Sequence, residues 1–321
     1  MFVPGVVLAL ALLVLGLRLV VLGFRQASRG LSPRLTRKAL GGPMRGALLG
    51  AFATAILQSS SMVSVAALSL ADSGAISLGQ AMAVVAGANV GTCLTPHLIS
   101  WASVETSWPL ASLGFGLMLA FRSKALGHLG RALVGLAMLV TAVEAISWCL
   151  DSSGPGLARF VALAAAPWAA FLAGTMLTAL IQSSSASLAL LMAVAEAGLV
   201  PLNGCIAYML GCNVGTCSTA AIASIASSVT GKRVAAGHFI LNLAGAMAVM
   251  PFLVPFVDLV RCLTPVASQQ VATANTLFNV ASTLAALPLL GCLVRASILV
   301  VPGKKERAHA PPKHTGWGRA P

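Results

Sequence analysis

Two octapeptides constrain this chain more than any other feature. Thr54-Ala55-Ile56-Leu57-Gln58-Ser59-Ser60-Ser61 and Thr178-Ala179-Leu180-Ile181-Gln182-Ser183-Ser184-Ser185 each set one amide and three hydroxyls in a row between apolar flanks. The offset of 124 that takes Gln58 to Gln182 also takes Gly74 to Gly198, Asn89 to Asn213 and Thr92 to Thr216. Without a gap, 17 of the 42 positions from Thr54 to Thr95 are identical at that offset, and Asp72 pairs with Glu196. Chance likeness between apolar segments would match Leu and Ala, not Gln-Ser-Ser-Ser and Asn-Val-Gly-Thr-Cys. The chain is a duplication with two half-sites.

The flanks decide what the duplication means. Of the 321 residues, 58% are apolar and only 8% charged, whereas a soluble domain carries about a quarter charged residues. An integral membrane protein follows, and four adjacent polar side chains at bilayer depth are costly unless they line a cavity. The net charge of +13 does not point to nucleic acid, because the basic residues sit in short inter-helix segments and the tail, without interleaved aromatics. The positive-inside rule accounts for it. The seven Cys have no paired spacing, so buried thiols are expected, with neither disulfide nor metal. Val3 to Phe24 lacks a basic leading region and is too long for a signal peptide, so it reads as a retained membrane helix.

In chain order, Val6 to Phe24 forms a first span carrying Arg18. A cytoplasmic basic segment follows, with Arg25, Arg29, Arg34, Arg37, Lys38 and Arg45. Gly46 to Leu57 and Met62 to Ala71 are each too short to cross, since a crossing needs about 20 residues. Together they make either one helix with a polar kink or a re-entrant hairpin. The hairpin is preferred because it leaves helix ends at the polar tip. Ile76 to Ser103 is a long span broken at Gly87-Ala88-Asn89-Val90-Gly91-Thr92. Pro109 to Phe121 returns inward and Ala132 to Leu150 crosses outward. The unit then repeats from the opposite side. Trp168 to Leu180 and Ala186 to Ala195 form a second hairpin, and Leu202 to Ser228 a second broken span. Ala236 to Val257 and Val271 to Leu293 complete roughly seven spans and two hairpins.

The expected fold is therefore an all-α polytopic membrane protein of two inverted-topology repeats, each with a re-entrant helical hairpin and a broken transmembrane helix. The divisions are 1–126, 127–260, a final helix over 261–301 and a disordered cytoplasmic tail over 302–321. Nearly all Lys and Arg fall inside, with Arg159 and Arg261 as exceptions, while Glu105, Asp151 and Asp258 fall outside. This places the N-terminus outside and the C-terminus in the cytoplasm, in a bacterial inner membrane.

The duplicated groups are Gln, Ser, Asn, Thr and freed backbone. No nucleophile has a base beside it, so an enzyme is not expected. Hydroxyl and carbonyl oxygens suit a hard monovalent cation, and helix N-termini with amide and hydroxyl donors suit a small oxyanion. Co-bound cations can neutralise that anion without Arg. These residues point to a small solute moved with a coupling ion.

At these residues the sequence resembles the type II sodium-dependent phosphate cotransporter family. The motifs are Gln58-Ser59-Ser60-Ser61 with Gly87-Ala88-Asn89-Val90-Gly91-Thr92, and Gln182-Ser183-Ser184-Ser185 with Gly211-Cys212-Asn213-Val214-Gly215-Thr216. A weaker likeness covers His238-Phe239-Ile240-Leu241-Asn242 and Asn275-Thr276-Leu277-Phe278-Asn279, degenerate copies of a His-x-x-Phe-Asn pattern. Met62-Val63 and Leu188 stand where the family has small or hydroxyl residues, and Cys93 and Cys217 where Thr or Ser is usual. The resemblance implies a bacterial member without the cytoplasmic helical domain many relatives carry. It implies sodium-coupled import of inorganic phosphate by alternating access, with Na⁺ as coupling ion and no other cofactor. Gln58, Ser59, Ser60, Ser61, Asn89 and Thr92, with Gln182, Ser183, Ser184, Ser185, Asn213 and Thr216, would line the phosphate site. Sodium would be held by Gln58, Ser61, Ser64, Asn89 and Thr92, and by Gln182, Ser185, Asn213 and Thr216.

Plainer roles stand beside these. An isolated Ser such as Ser64 or Ser187 more often bonds the preceding helical turn, and Asn89 and Asn213 could be helix caps. Glu144, His97 and His238 read as packed or hydrogen-bonded groups, and Asp72 and Glu196 as interfacial acids. The rival functions are transport of sulfate or a carboxylate, proton coupling, and an anion channel. The bilayer is the expected environment, nucleic acid is not a partner, and a homodimer is left open.

Overall fold

A computed structural model describes residues 2–27, 40–122, 124–151 and 166–303. Among them every regular element is a helix. The basic residues Arg29, Arg34, Arg37 and Lys38, Arg159, and the tail from residue 304 lie outside the described residues.

Helix α1 spans Phe2–Ala27. Pro43, at the start of α2 (Pro43–Leu57), supplies the fixed φ that a first helical residue needs, and α2 stops at Gln58. Ser59 caps α3 (Ser60–Asp72) by accepting from Met62 N at 3.2 Å. A turn through Gly74, at φ 72°, leads to α4 (Leu78–Gly91), whose start carries a reciprocal capping box between Ser77 and Gln80. Thr92 and Cys93 separate α4 from α5 (Leu94–Trp101). Helices α6 (Val104–Ala120) and α7 (Ala125–Asp151) follow. The second set is α8 (Pro167–Ile181), α9 (Ser184–Glu196), α10 (Leu202–Gly215) and α11 (Cys217–Ser224). Helix α12 (Val229–Val249) passes through a 3₁₀ turn into α13 (Leu253–Leu263). The described part ends with α14 (Ala267–Ala286) and α15 (Leu290–Val300).

Glycines set how α2 and α3 run. Bare Cα atoms at Gly50, Gly87 and Gly91 let the backbones of α2 and α4 touch. A Cβ at Gly87 would overlap the Ala47 carbonyl, one at Gly50 the Val84 carbonyl, and one at Gly91 the Ala51 carbonyl. Higher numbers on α2 thus meet higher numbers on α4, so the two run parallel. Helix α3 starts beside the end of α2 and finishes beside the start of α4, so it must run back. The pair is a hairpin, not a kinked through-helix. Gly174, Gly211 and Gly215 impose the same arrangement on α8 and α10, against Tyr208, Phe171 and Thr175.

Five helical stretches are long and apolar enough to cross a membrane, or six if the bent pair α14–α15 counts as one span. Several expected boundaries shift, each for a local reason. Helix α6 starts at Val104 rather than Pro109 because Ser103 caps it, and at 17 residues it falls short of a full crossing length. Lys232 and Arg233 lie inside α12 rather than before it, because Ser228 caps that helix from Thr230 N. The expected single helix from Val271 to Leu293 instead bends by 89° between α14 and α15, where Pro288 interrupts the hydrogen-bond ladder. Helices α1 and α6 pack on α7, and α7 meets the rest of the molecule chiefly through α9.

Candidate functional site

Each hairpin turns on its glutamine. Gln58 has φ 52° and Gln182 φ 57°, and among the described residues these are the only non-glycine residues with positive φ. The left-handed region costs a side-chain-bearing residue about 1–2 kcal/mol, and glycine would serve the turn better. Strain kept at both copies of one motif points to the side chain as the reason for it. The next residue caps the return helix: Ser59 Oγ accepts from Met62 N, and Ser183 Oγ accepts from Ala186 N at 3.3 Å. Ser60, Ser61, Ser184 and Ser185 sit in the first turns of α3 and α9, where backbone N–H groups have no intrahelical acceptor. Oriented donors of this kind, with hydroxyls among them, form the standard cradle for an oxyanion.

The two tips differ in their surroundings. Gln58 is buried; its Nε2 donates to Ala55 O at 2.6 Å, and Thr95 Oγ1 on α5 donates to its Oε1. Gln182 is exposed, and its side chain holds no hydrogen bond among the described residues. Tip one is bonded to its broken helix through Gln58 and Thr95, whereas Thr219, the counterpart of Thr95, donates to Thr216 O at 3.1 Å and the second hairpin meets its broken helix through Ser218 Oγ, which donates to Ala179 O at 3.4 Å. Ser64 Oγ and Thr54 Oγ1 are buried near the first tip without a hydrogen-bond partner.

The asparagines of the broken helices are held by other side chains. Asn89 Nδ2 donates to Asn242 Oδ1 at 2.7 Å, and Asn89 Oδ1 lies 3.3 Å from His238 Nε2. Asn213 Nδ2 donates to Asn275 Oδ1 and to Met209 O, both at 3.0 Å. Thr92 Oγ1 donates to Asn89 O at 2.6 Å, across the break between α4 and α5. The weak His238–Asn242 and Asn275–Asn279 likeness thus marks the partners of the two motif asparagines.

Asp72 and Glu196, the acids that end the two hairpins, each cap a later helix. Asp72 Oδ1 accepts from Ser228 N at 2.9 Å and Gly231 N at 3.2 Å, at the start of α12. Glu196 Oε1 accepts from Ser268 N at 2.9 Å, at the start of α14. A carboxylate at a helix N-terminus satisfies orphan donors and complements the dipole. Sequence reading suggested interfacial acids without naming what they bond. The signal it missed is that Gly231 and Ser268 share the offset of 37 that relates His238 to Asn275 and Asn242 to Asn279.

The halves interleave. Helix α3 of the first hairpin packs on α11, and α9 of the second packs on α5. A cavity of about 490 Å³ opens where α5, α7, α9 and α14 meet, lined by Trp101, Glu144, Trp148, Glu196 and Ser268. Among the described residues no group of three or more His, Cys, Asp or Glu could hold a metal ion.

Apolar spans, paired helical hairpins and a buried uncharged polar centre define a multi-pass membrane protein. The chain belongs to the Na⁺/Pi-cotransporter family, whose pattern matches residues 12–147 and 152–291. It is 31% identical over 265 residues to the uncharacterized protein YqeW of Bacillus subtilis strain 168, covering 82% of this chain and 86% of that one. It is 26% identical over 266 residues to YjbB of Salmonella typhimurium, a protein named for a proposed role in inorganic phosphate export. That match covers 81% of this chain and 49% of the relative. The Escherichia coli K12 protein of the same name matches over 203 residues at 26% identity, 62% of this chain and 37% of its own length. The chain thus spans about half or less of these YjbB relatives. No solved structure matches the chain.

Proposed function

We propose that the protein is a secondary transporter that carries inorganic phosphate across the bacterial inner membrane together with Na⁺, by alternating access between two inverted half-sites. The observation that carries this reading is the left-handed glutamine at both hairpin tips, followed each time by serines at a helix N-terminus. Phosphate is held by Ser60, Ser61, Ser184 and Ser185, by the freed N–H groups of α3 and α9, and by Gln58 and Gln182. Ser59 and Ser183 shape those helix starts. Thr92 and Thr216 reach the sites from the breaks, while Asn89 and Asn213 hold the broken helices from behind. Sodium takes hydroxyl and carbonyl oxygens around Gln58, Ser61, Ser64 and Thr92, and around Gln182, Ser185 and Thr216. The unpartnered Ser64 hydroxyl supports that assignment, because a buried hydroxyl without an acceptor or donor is costly unless something completes it.

The hairpins enter the membrane from opposite faces and stop partway, since α2, α3, α8 and α9 are each 13 to 15 residues where a crossing needs about 20. The unequal glutamines, one buried and bonded to Thr95 and one exposed, fit a molecule resting on one side of its cycle. Inward movement of phosphate follows if the sodium gradient drives it. The name of the YjbB relatives favours a second reading, release of phosphate from the cell.

The test is radiolabelled phosphate flux in proteoliposomes, measured in both directions with an imposed Na⁺ gradient and then with K⁺ or H⁺ in its place. Accumulation that follows the Na⁺ gradient supports the reading. Flux indifferent to Na⁺ removes the coupling, and competition by sulfate that equals phosphate removes the substrate.

A further inference from the structure

Behind the two half-sites, six buried residues are linked in a ring: four links join side chains, and two are cysteine thiols donating to the backbone carbonyl four residues earlier on their own helix. Asn89 Nδ2 donates to Asn242 Oδ1 at 2.7 Å, and Asn242 Nδ2 to Cys217 Sγ at 3.1 Å. The Cys217 thiol reaches two backbone carbonyls, His238 O at 3.6 Å and Asn213 O at 3.7 Å, and Asn213 Nδ2 donates to Asn275 Oδ1 at 3.0 Å. Asn275 Nδ2 then donates to Cys93 Sγ at 3.5 Å, and the Cys93 thiol reaches Asn89 O and Asn275 O, each at 3.7 Å. The order Asn, Asn, Cys occurs twice, once for each half. It is not a plain copy of the sequence repeat: Asn275 aligns with His238, so the α14 member lies one turn earlier than Asn242 does on α12.

Two features of this ring bear on switching. First, it crosses between repeats at the cysteines. Cys93 belongs to the first broken helix but takes the amide of Asn275 on α14, whose oxygen is bonded to the second repeat's Asn213. Cys217 does the reverse with Asn242 and Asn89. Second, ring members flank each break, Asn89 before and Cys93 after Thr92, Asn213 before and Cys217 after Thr216. Neither break can bend alone without opening the ring. In the low-dielectric interior each amide left unpaired is expensive. The thiols make the longest bonds of the six, which leaves the ring able to shift without parting.

We propose that Cys93 and Cys217 are positioning residues that lock the two broken helices into one switching unit, so that the half-sites change state together. The proposal rests on the transport reading for its consequence, and its first test is independent of transport. The full chain is purified with Cys217→Ala, Asn242→Ala and the double substitution, and thermal unfolding is followed in detergent. Because the two residues share one bond across the repeats, the double variant should melt close to the lower single. Asn242→Ala combined with Cys262→Ala, an exposed cysteine outside the ring, should show additive shifts. Additive shifts for the Cys217–Asn242 pair overturn the ring.

The second test is phosphate uptake normalised to the amount of [³²P]phosphate bound per polypeptide, which counts competent transporters. An unpaired buried amide corresponds to a change of about fivefold or more. Cys93→Ala and Cys217→Ala should each lower turnover by at least about that factor while leaving the phosphate KM within about twofold, since neither thiol faces the tips. Cys→Ser at either position, which restores a donor and an acceptor, should recover most of the turnover. Normalised turnover at the wild-type level in both alanine variants overturns the locking role. Lack of phosphate flux in the unsubstituted protein would instead remove the transport reading, leaving the unfolding cycle to decide the ring.

Discussion

Replacing each tip glutamine by glycine separates what its backbone costs from what its side chain does. Leaving the left-handed region to glycine relieves about 1–2 kcal/mol, and the greater freedom of glycine in the unfolded chain takes back about 0.5–1 kcal/mol. At Gln182, whose side chain holds no hydrogen bond among the described residues, the balance is a gain of about 0.5–1 kcal/mol. At Gln58 the same change also removes the bond to Ala55 O and the one from Thr95, each about 1 kcal/mol net. The two variants should therefore differ by about 2 kcal/mol, whatever the common backbone contribution. For a chain of this size that is a melting difference of about 3 °C, with Gln58→Gly the lower. Thermal unfolding in detergent measures the difference, and labelled phosphate uptake measures the consequence. Both variants should lose uptake although one of them is the more stable protein. Equal melting shifts would refute the asymmetry of the tips, and full uptake by either glycine variant would refute the role of the glutamine.

The capping acids and the glycine contacts give further tests. Asp72→Ala should destabilise the fold by about 1–2 kcal/mol through loss of the cap on α12. Asp72→Asn, which keeps an acceptor, should lose less and leave the sodium dependence of uptake unchanged; a shifted sodium half-saturation in Asp72→Asn would make it an ion ligand instead. Gly87→Ala forces a Cβ into the Ala47 carbonyl and should cost about 3 kcal/mol or more, seen as loss of monodisperse protein on size exclusion. Gly116→Ala, where a Cβ would meet nothing within 4 Å, should leave melting unchanged or raise it by the helix propensity of about 1 kcal/mol.

The hairpins were legible because a polar run cannot hide in an apolar sequence and because it occurs twice. The same contrast located the breaks at Thr92 and Thr216. What escaped was mostly long-range. Asn242 lies 153 residues from Asn89, and Asp72 lies 156 from Ser228, so no local pattern could join them. The early starts of α6 and α12 were readable in Ser103 and Ser228, which are ordinary cap residues. The bend after α14 was readable in Pro288, which an apolar window of that length simply overrode. The partners of the motif asparagines were also out of reach of sequence: at Asn89, Asn242 accepts from the amide nitrogen and His238 lies against the oxygen.

The glycine seams between α2 and α4, and between α8 and α10, have a mechanical corollary. Backbones that interlock at carbonyl distance cannot slip past one another by a helical turn without collision. In the transport cycle proposed above, each hairpin would then move as cargo fixed to its own broken helix.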